Sequence, residues 1–193
     1  MTALPQPPGH LLTVAEYAEL GESTSGSSEL QEGNIIMSPS STPRHMIASG
    51  RLLQQVQSQL PGHLCAIQEV DVDLTLVPPD QPGLVRRPDL VVVDDKAVDR
   101  VDRDGGLLRA DDVLVVVEIV SAGTRRLDHV VKRGEYGDAG IEHYWIIDLD
   151  KPVTLLDCHL AGPLGYVDGG SLTGTFATTA PCPIRLELDL LLR

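Results

Sequence analysis

The chain has 193 residues, of which 42% are hydrophobic and 22% charged, and its formal net charge is -13 at pH 7. This length suffices for a core that needs no disulfide or metal for stability, and the aromatic content of 3% predicts a core of valine and leucine. The charge argues against broad electrostatic capture of nucleic acid, although it does not exclude a local basic groove, and no apolar run approaches the roughly 20 residues of a membrane span.

The three cysteines are far apart in the sequence and form neither a CxxC motif nor a zinc-ligand spacing. We interpret Cys65, Cys158 and Cys182 as free thiols, which is typical of a reducing compartment. The N-terminus lacks a basic segment followed by an apolar one, so no secretory leader is predicted. We therefore expect a soluble, cytoplasmic protein that does not bind a membrane.

The N-terminal region predicts one short helix between two irregular segments. Residues 1–12 are rich in proline and are expected to be disordered. Thr13 and Glu16 fit a capping box, in which each side chain accepts a hydrogen bond from the other residue's backbone amide, and this helix should extend to about Leu20. Residues 21–28 consist mainly of glycine and serine and predict a flexible connection.

A hairpin and a longer helix are predicted next. Residues 29–37 (ELQEGNIIM) predict two short strands joined by a turn at Glu32 and Gly33. Residues 44–60 contain mostly helix-forming residues and are followed by a Pro-Gly pair, which ends a helix. The apolar residues that we place on one face of this helix are Leu53, Val56 and Leu60.

Three strands are predicted between residues 69 and 120. Residues 69–77 alternate strictly between apolar and polar side chains, which is typical of a half-exposed strand. Residues 89–93 (DLVVV) and 113–120 (VLVVVEIV) are almost entirely aliphatic, which is typical of strands covered on both faces. Residues 94–112 are charged and contain two adjacent glycines, so we interpret them as an irregular surface segment.

The remaining chain predicts a strand, a helix, a strand and then a β-rich extension. A helix over residues 125–138 connects the strand at 113–120 to another at 144–148, which indicates two neighbouring parallel strands. Residues 153–193 form the extension, and its predicted strands are residues 153–158, 165–167 and 176–178. Residues 1–193 show no repeat and no domain boundary, so we expect one α/β domain with a mixed central sheet.

Glu118 is an acidic residue within a strand that otherwise predicts complete burial. An ionised carboxylate there is costly unless a cation neutralises it, so Glu118 is a candidate functional residue. Asp89 begins the other apolar strand, and the two carboxylates can converge if these strands are neighbours. Two or three carboxylates and a main-chain carbonyl are suitable ligands for Mg²⁺, which can activate water and stabilise charge on a phosphodiester.

Lys132 lies four residues from both Asp128 and Tyr136 on the predicted helix, so the three side chains share one helical face. If that face turns toward the sheet, the ammonium of Lys132 can lie beside the metal site. The alternative is an ordinary exposed ion pair between Asp128 and Lys132, which would contribute only about 0.3 to 0.5 kcal/mol. The spacing by itself favours this alternative.

Several short motifs occur in a characteristic order along the chain. They are ELQEG (29–33), MSP (37–39), PRH (43–45), RPD (87–89), VEIVS (117–121), the set Asp128, Lys132 and Tyr136, and GIEHYWIID (140–148). In this order they resemble the bacterial Uma-two family of restriction-endonuclease-like proteins, and the resemblance covers roughly residues 13–157. It implies a PD-(D/E)xK nuclease fold, with a mixed central sheet flanked by helices and a β-rich C-terminal extension.

The resemblance also implies a metal site on the two apolar strands. Asp89, Glu118 and the main-chain carbonyl of Ile119 would bind Mg²⁺ or Mn²⁺. The family's usual lysine position, two residues after the acid, is occupied here by Val120, so the strict motif is broken. The resemblance implies that Lys132 on the following helix supplies this lysine, which reverses the preference stated above.

Other residues are expected to support this site. Glu29 matches an acidic position that helps to bind metal in this class of nuclease, although Glu32 is close enough in sequence to be the contributor instead. Asp128 and Tyr136 are expected to orient Lys132. His45, which lies in the PRH motif at the start of the predicted long helix, is expected to lie just outside the metal ligands.

We therefore predict a Mg²⁺- or Mn²⁺-dependent endonuclease that acts on nucleic acid, with DNA as the expected substrate. A homodimer is expected by analogy, because a small nuclease usually needs two copies to reach both strands of a duplex. The basic residues near the site, which either bind phosphate or are ordinary solvated charges, are Arg86, Arg87, Arg125, Arg126, Lys132 and Arg133. The alternative function is a catalytically inactive nuclease-fold module for nucleic-acid or protein interaction, which the charge of -13 and Val120 favour.

Overall fold

The computed structural model describes residues 9–21, 27–38, 40–120 and 123–193. Its helices are α1 (Val14–Glu19), α2 (Pro43–Gln57), α3 (Asp95–Asp104) and α4 (Arg133–Asp138), with a π-helical segment, Leu127–Lys132, directly before α4 and short 3₁₀ helices at Ala110–Asp112, Gly162–Leu164 and Leu188–Leu192. Its strands are β1 (Ser28–Gln31), β2 (Asn34–Met37), β3 (Leu64–Ile67), β4 (Val72–Asp73), β5 (Val85–Arg86), β6 (Leu90–Asp94), β7 (Leu108–Arg109), β8 (Val113–Val120), β9 (His143–Asp148), β10 (Thr154–Leu160), β11 (Tyr166–Thr173), β12 (Thr175–Thr178) and β13 (Ile184–Glu187). Within these residues, no helix is long and apolar enough to cross a membrane.

The central sheet is mixed, as predicted, and among the described residues its strand order is β11-β10-β9-β8-β6-β3. Strand β8 has the bounds predicted for it and lies in the interior of the sheet, parallel to β9 and antiparallel to β6. Val117 on β8 pairs with Leu90 on β6 and with Trp145 on β9. This register places Glu118 beside Asp89, so the two predicted acidic positions lie on neighbouring strands.

The two faces of the central sheet are covered by different elements. Alternate residues of β8, such as Val117, pack in one core cluster with Leu52 of α2, whereas Val116 packs in a second cluster with Ala97 of α3. Successive side chains of a strand point to opposite faces, so Glu118 projects toward the second face, where α4 also packs. The strand is therefore buried on both sides, which explains its aliphatic composition.

A second, smaller sheet supports the edge of the site. Its strand order among the described residues is β2-β1-β5-β4-β7. Strands β1 and β2 form the hairpin predicted over residues 29–37, and β1 pairs with β5 through Leu30 and Val85. This pairing brings Glu29 on β1 and Arg86 on β5 to adjacent positions.

The N-terminal predictions are largely confirmed where the structure describes the chain. Thr13 caps α1 and forms the predicted capping box with Glu16. The expected disorder of residues 1–12 is wrong at Leu12, which is 3% exposed and whose backbone amide donates to the carbonyl of Gly33 at 2.8 Å. Residues 1–8 lie outside the described residues, as does most of the predicted flexible connection.

The prediction of a strand over residues 69–77 is wrong for most of these residues. Only Val72 and Asp73 form a strand, because the backbones of Glu69 and Thr75 have φ angles of 50° and 52°. These angles lie in the left-handed region and interrupt the pleat on both sides. The predicted alternation survives only in part, since Val72 and Leu74 are fully buried whereas Leu76, on the same predicted face, is exposed.

The prediction of an irregular surface segment over residues 94–112 is also wrong, because these residues contain α3. The carboxylate of Asp94 caps this helix by accepting a hydrogen bond from the amide of Lys96 at 2.9 Å, and Gly105, with a φ angle of 75°, ends it. Ala97 and Val101 pack in the second core cluster. A spacing of four residues between Ala97 and Val101 is typical of one face of a helix. The many charged residues around them obscure this apolar pattern in the sequence.

Helix α2 forms as predicted but turns a slightly different face to the core. Leu52 and Val56 are fully buried, whereas Leu53 and Leu60 are only partly buried against the same cluster. The buried face is therefore centred one residue earlier than predicted. The helix ends at Gln57, before Leu60.

The C-terminal residues form longer strands than predicted. Strands β10 and β11 extend the central sheet, and β12 and β13 form a separate antiparallel hairpin. The ring of Phe176 on β12 packs edge-on against that of Trp145 on β9, with ring centroids 5.1 Å apart. The hairpin is thus joined to the first core cluster.

Gly83 lies where the loop after β4 meets α1 and is expected to tolerate no side chain. A Cβ there would lie 2.6 Å from Cγ2 of Val14, and the chain is held in place because the amide of Gly83 donates to the carbonyl of Leu12 at 2.9 Å. We expect Gly83→Ala to lower the free energy of unfolding, measured with urea, by about 2 kcal/mol. Gly50→Ala on α2, where a Cβ meets nothing within 4 Å, is the control and should be neutral or stabilising. Equal stability of the two variants would contradict the close packing at Gly83.

Candidate active site

The centre of the candidate site is a buried contact between β8 and the helix that follows it. The Nζ atom of Lys132 donates to Oε1 of Glu118 at 2.8 Å, and the hydroxyl of Tyr136 donates to the same oxygen at 2.8 Å. Glu118 is 4% exposed and Lys132 is 5% exposed. The prediction that the following helix brings a lysine to Glu118 therefore agrees with the structure, and the alternative of an exposed pair between Asp128 and Lys132 is wrong.

The helix reaches this position through an irregular turn. Leu127–Lys132 is π-helical and continues directly into α4, so the regular spacing of four residues assumed for Asp128, Lys132 and Tyr136 is not kept. All three side chains are nevertheless buried. Short π-helical segments inside helices occur often at functional sites, and this one directs Lys132 inward next to Glu118.

Glu29 completes the surroundings of the lysine. Its Oε1 atom lies 3.0 Å from Nζ of Lys132, and its Oε2 atom accepts from the guanidinium of Arg86 at 2.9 Å. Although burial opposes it, the two cations lower the pKa of Glu29. Glu32 is exposed in the hairpin turn, so Glu29 is the acidic residue that the N-terminal hairpin contributes.

Asp89 and His45 meet at the end of β8. The carboxylate of Asp89 accepts a hydrogen bond from the amide of Ile119 at 2.6 Å. The Nε2 atom of His45 lies 3.2 Å from each carboxylate oxygen of Asp89 and 3.2 Å from the carbonyl oxygen of Ile119. The hydrogen bond to Asp89 raises the pKa of His45 despite its partial burial. The imidazole thus lies between the two groups that were predicted to bind metal.

The site contains more carboxylates than cations. Burial raises the pKa of Glu118 to about 8 against the attraction of Lys132, and the nearby charges of Asp89 and Asp128 raise it further. Burial also raises the pKa of Asp128. Lys132 stays protonated, because Glu118 and Glu29 raise its pKa although burial opposes this shift. A bound divalent cation would reduce the repulsion among these acids.

A metal ion fits the oxygen donors of this site, although the arrangement is not a complete cage of side chains. In the part of the chain that the structure describes, no group of three His, Cys, Asp or Glu side chains is arranged to hold an ion. The available donors are the Asp89 carboxylate, the Ile119 carbonyl and the second oxygen of Glu118. Mg²⁺ and Mn²⁺ accept such sites because they retain several waters.

Four of the five arginines that were predicted to bind phosphate or to be solvated are paired with acids, whereas Arg126 is exposed. Arg86 is 1% exposed and donates to Glu135 at 2.6 Å as well as to Glu29. The other paired arginines are Arg87 with Asp71, Arg125 with Asp148 and Asp150, and Arg133 with Asp168. The prediction that Arg86 is either a phosphate ligand or a surface charge is therefore wrong, because its guanidinium is buried between two carboxylates.

The contact between Arg86 and Glu135 beside the site was not predicted. Arg86 directly precedes the RPD motif, but nothing in the local sequence shows that its partners lie 57 residues before it and 49 residues after it. Glu135 lies next to Tyr136 on α4, and none of the sequence motifs includes it. Ser121, the last residue of the VEIVS motif, lies outside the described residues.

Comparisons with known proteins concern the family and the fold of the chain. A family model named Uma2, described as "Putative restriction endonuclease", matches residues 14–158. A crystal structure described as "a putative nuclease belonging to DUF820 from Anabaena variabilis" covers 94% of this chain and 97% of that chain, with a TM-score of 0.71 and 18% sequence identity. At that identity the likeness concerns the fold alone, and it confirms the predicted nuclease-like α/β fold. No curated protein sequence matches the chain.

Proposed function

This chain belongs to the Uma2 family of restriction-endonuclease-like proteins, and from that premise we propose that it is a divalent-metal-dependent endonuclease that hydrolyses phosphodiester bonds of DNA. The observation that carries the proposal is the buried contact of 2.8 Å between Lys132 and Glu118, next to Asp89 on the neighbouring strand. A lysine and two acids supply groups that metal-assisted phosphodiester hydrolysis can use, namely ligands for an ion and a donor beside the attacked phosphate.

Asp89, Glu118 and the carbonyl of Ile119 would hold the ion. When bound, the ion supplies Lewis-acid chemistry: it lowers the pKa of water and stabilises the charge that develops on the phosphate. The surplus of buried acids supports this role: burial raises the pKa of Glu118, and the nearby charges of Asp89 and Asp128 raise it further. The carboxylate of Asp89 is oriented by the amide of Ile119.

Lys132 would orient the attacking water or neutralise the phosphate. An ammonium group has three N–H donors, and the contacts with Glu118 and Glu29 use two of them. The third remains to donate to a water or to a phosphate oxygen. Glu29 holds the ammonium in this orientation and is itself held by Arg86, whereas Tyr136 fixes the oxygen of Glu118 that Lys132 contacts.

The test is cleavage of short labelled oligonucleotides, both single-stranded and duplex and both DNA and RNA, by the purified protein with Mg²⁺, Mn²⁺ or EDTA. We expect DNA cleavage only with a divalent ion. Asp89→Asn should lower the rate by at least about 100-fold, because it removes a charged ligand. Asp80→Asn, at an exposed loop position, is the matched control and should cleave normally. Failure to cleave any substrate, together with no binding of either ion, would refute the proposal.

The second candidate function is a catalytically inactive nuclease-fold module that binds nucleic acid or protein. The observation in its favour is that Arg86, Arg87 and Arg133 are neutralised by acids, so these cations are engaged within the protein, and Val120 at the usual lysine position is buried in the core. If Glu118→Ala leaves the protein's activity in cells unchanged while substitution of the exposed Arg126 abolishes it, this candidate is preferred.

We also propose the setting in which the nuclease acts. One domain is expected, and the packing of the C-terminal hairpin in the same core cluster as the central sheet supports this. Cys65, Cys158 and Cys182 are free thiols, which supports a reducing compartment such as the cytoplasm. A homodimer is proposed by analogy, because cleavage of both strands of a duplex requires two sites, and light scattering of the purified protein measures it directly.

A further inference from the structure

We propose that Arg86 and Glu135 are positioning residues for Lys132, and that a closed ring of contacts through Arg86, Glu135 and Glu29 fixes where the ammonium lies. This inference rests on the proposed function, because it concerns the same lysine. Among the described residues, the hydrogen-bond partners of the Arg86 guanidinium are Glu29 and Glu135, so Arg86 acts on the reaction only through them.

The guanidinium of Arg86 joins two carboxylates from different parts of the fold. Its Nε and Nη2 atoms donate to the two oxygens of Glu135 at 2.7 and 2.6 Å, and its Nη1 atom donates to Oε2 of Glu29 at 2.9 Å. Arg86 is 1% exposed. A planar guanidinium that binds a carboxylate through two hydrogen bonds fixes direction as well as distance. Arg86 therefore holds Glu29 on β1 and Glu135 on α4 in a defined relative position.

The same two carboxylates lead back to Lys132 by different routes. Oε1 of Glu29, the oxygen opposite to the one that Arg86 contacts, lies 3.0 Å from Nζ of Lys132. Glu135 lies three residues after Lys132 on the continuous helix, and side chains at this spacing lie on one face. The ring thus runs from Lys132 through Glu29, Arg86 and Glu135 and closes through the helix backbone. The helix cannot move relative to β1 without breaking at least one of these contacts.

Lys132 requires an anchor of this kind because it lies on a helix. The family's usual lysine position, Val120, lies on β8, which is hydrogen-bonded to β6 on one side and to β9 on the other. Lys132 instead ends the π-helical segment, an irregular turn outside the sheet. A small rotation of this turn would carry the ammonium away from Glu118. Contacts with neighbouring elements must therefore hold the turn in place.

Two contacts hold the helix, one on each side of the site. The hydroxyl of Tyr136 donates to Glu118 and joins the helix to β8. Arg86 on β5 binds Glu135 and joins the same helix to the small sheet. Loss of the contact between Arg86 and Glu135 leaves only the first of these, so the ammonium of Lys132 becomes less well oriented.

The chain has only three lysines, which makes the ammonium of Lys132 directly observable. Protein labelled with ¹⁵N-lysine gives three ammonium signals in a ¹H–¹⁵N spectrum, and Lys132 is buried whereas Lys96 and Lys151 are exposed. Lys96→Arg and Lys151→Arg assign the remaining signal. We expect a sharp signal with slow hydrogen exchange for Lys132 in the metal-free protein, because its N–H groups are held by Glu118 and Glu29.

Glu135→Gln is the first variant, because it removes the charge with little change of shape. It should broaden or remove the Lys132 signal and lower kcat for DNA cleavage by about 10- to 100-fold, while KM for DNA stays within about twofold. Arg86→Lys keeps the positive charge but loses the two parallel hydrogen bonds, and should have the same effect on kcat and KM. Arg100→Lys, which alters the partly buried pair with Asp112 outside the ring, is the matched control and should leave the signal and both constants unchanged.

The outcomes separate this inference from the proposed function, because the spectrum needs neither metal nor DNA. If the wild-type protein cleaves no substrate but Glu135→Gln loosens Lys132, the ring stands and the nuclease proposal fails. If the wild-type protein cleaves DNA and the Lys132 signal is unchanged in Glu135→Gln, the inference is wrong, whether or not kcat or the stability in urea falls. If Arg86→Lys does not fold, Glu135→Gln decides alone, since the side chain of Glu135 is 18% exposed and its loss disturbs the core less.

Discussion

Glu118→Gln is expected to lower the rate of DNA cleavage by at least about 10³-fold, which corresponds to about 4 kcal/mol of lost transition-state stabilisation. Glutamine has nearly the same shape, and its oxygen can still accept the hydrogen bonds from Lys132 and Tyr136. The substitution therefore removes the charge of a metal ligand and little else. Initial rates on one labelled duplex, with saturating Mn²⁺, measure the effect.

The control for this prediction is Glu142→Gln, which removes an exposed carboxylate and should leave the rate unchanged.

Thermal unfolding of the metal-free protein gives a second, independent readout. Burial raises the pKa of Glu118 from 4.5 to about 8, so the folded state favours its neutral form. The stability that this group contributes is present below about pH 4.5 and is lost as the pH rises through about 8. Glu118→Gln stays neutral, so it should remove this part of the pH dependence. Full activity of the variant would contradict the assignment of Glu118 as a ligand.

At about pH 9, where Glu118 is ionised, Lys132→Met is expected to lower the free energy of unfolding by about 3 to 5 kcal/mol, because it leaves two buried carboxylates without their shared cation. Nζ of Lys132 lies 2.8 Å from Glu118 and 3.0 Å from Glu29, and the residue is 5% exposed. Methionine fills a similar volume, so a loss of packing contributes little. Urea unfolding of the metal-free protein measures the change, and Lys96→Met, at an exposed position of α3, is the control.

A double variant distinguishes the loss of charge balance from a general loss of structure. If the instability of Lys132→Met comes from unpaired carboxylates, then Glu118→Gln introduced into the same chain should restore part of the stability. The effects of the two substitutions would then not be additive. Additive losses of stability, or a loss below about 1 kcal/mol for Lys132→Met, would show that Lys132 does not stabilise the buried carboxylates of the site.

The elements that the sequence predicts well are those with a strong local signal. The aliphatic run Val113–Val120 forms β8 with the predicted bounds, and the capping box of Thr13 and Glu16 forms as expected. The predictions were wrong where an unusual backbone angle interrupts a strand or where many charged residues obscure the apolar face of a helix. The positive φ angle of Thr75 breaks a predicted strand, and the charges of α3 hide its apolar face. Neither feature can be read from alternation alone.

Some residues of the candidate site can be predicted from the sequence, and others cannot. The sequence alone marks Glu118, because an acid inside an apolar strand calls for a partner, and the order of motifs points to Asp89 and Lys132. It left open whether Glu29 or Glu32 joins them, and whether Lys132 lies at the surface. Those questions depend on contacts between segments far apart in the chain, which local patterns do not encode.

The sequence by itself therefore determined the central strand, its unusual carboxylate and the family to which the chain belongs. Only the tertiary structure decided how that carboxylate is neutralised. Strand pairing brings Asp89 beside Glu118, the π-helical turn directs Lys132 inward, and the hairpin adds Glu29. It also placed His45 against Asp89 across 44 residues of chain. The physical reason is that a buried charge is stabilised by whatever groups the fold brings within a few ångströms, and that proximity is a property of packing.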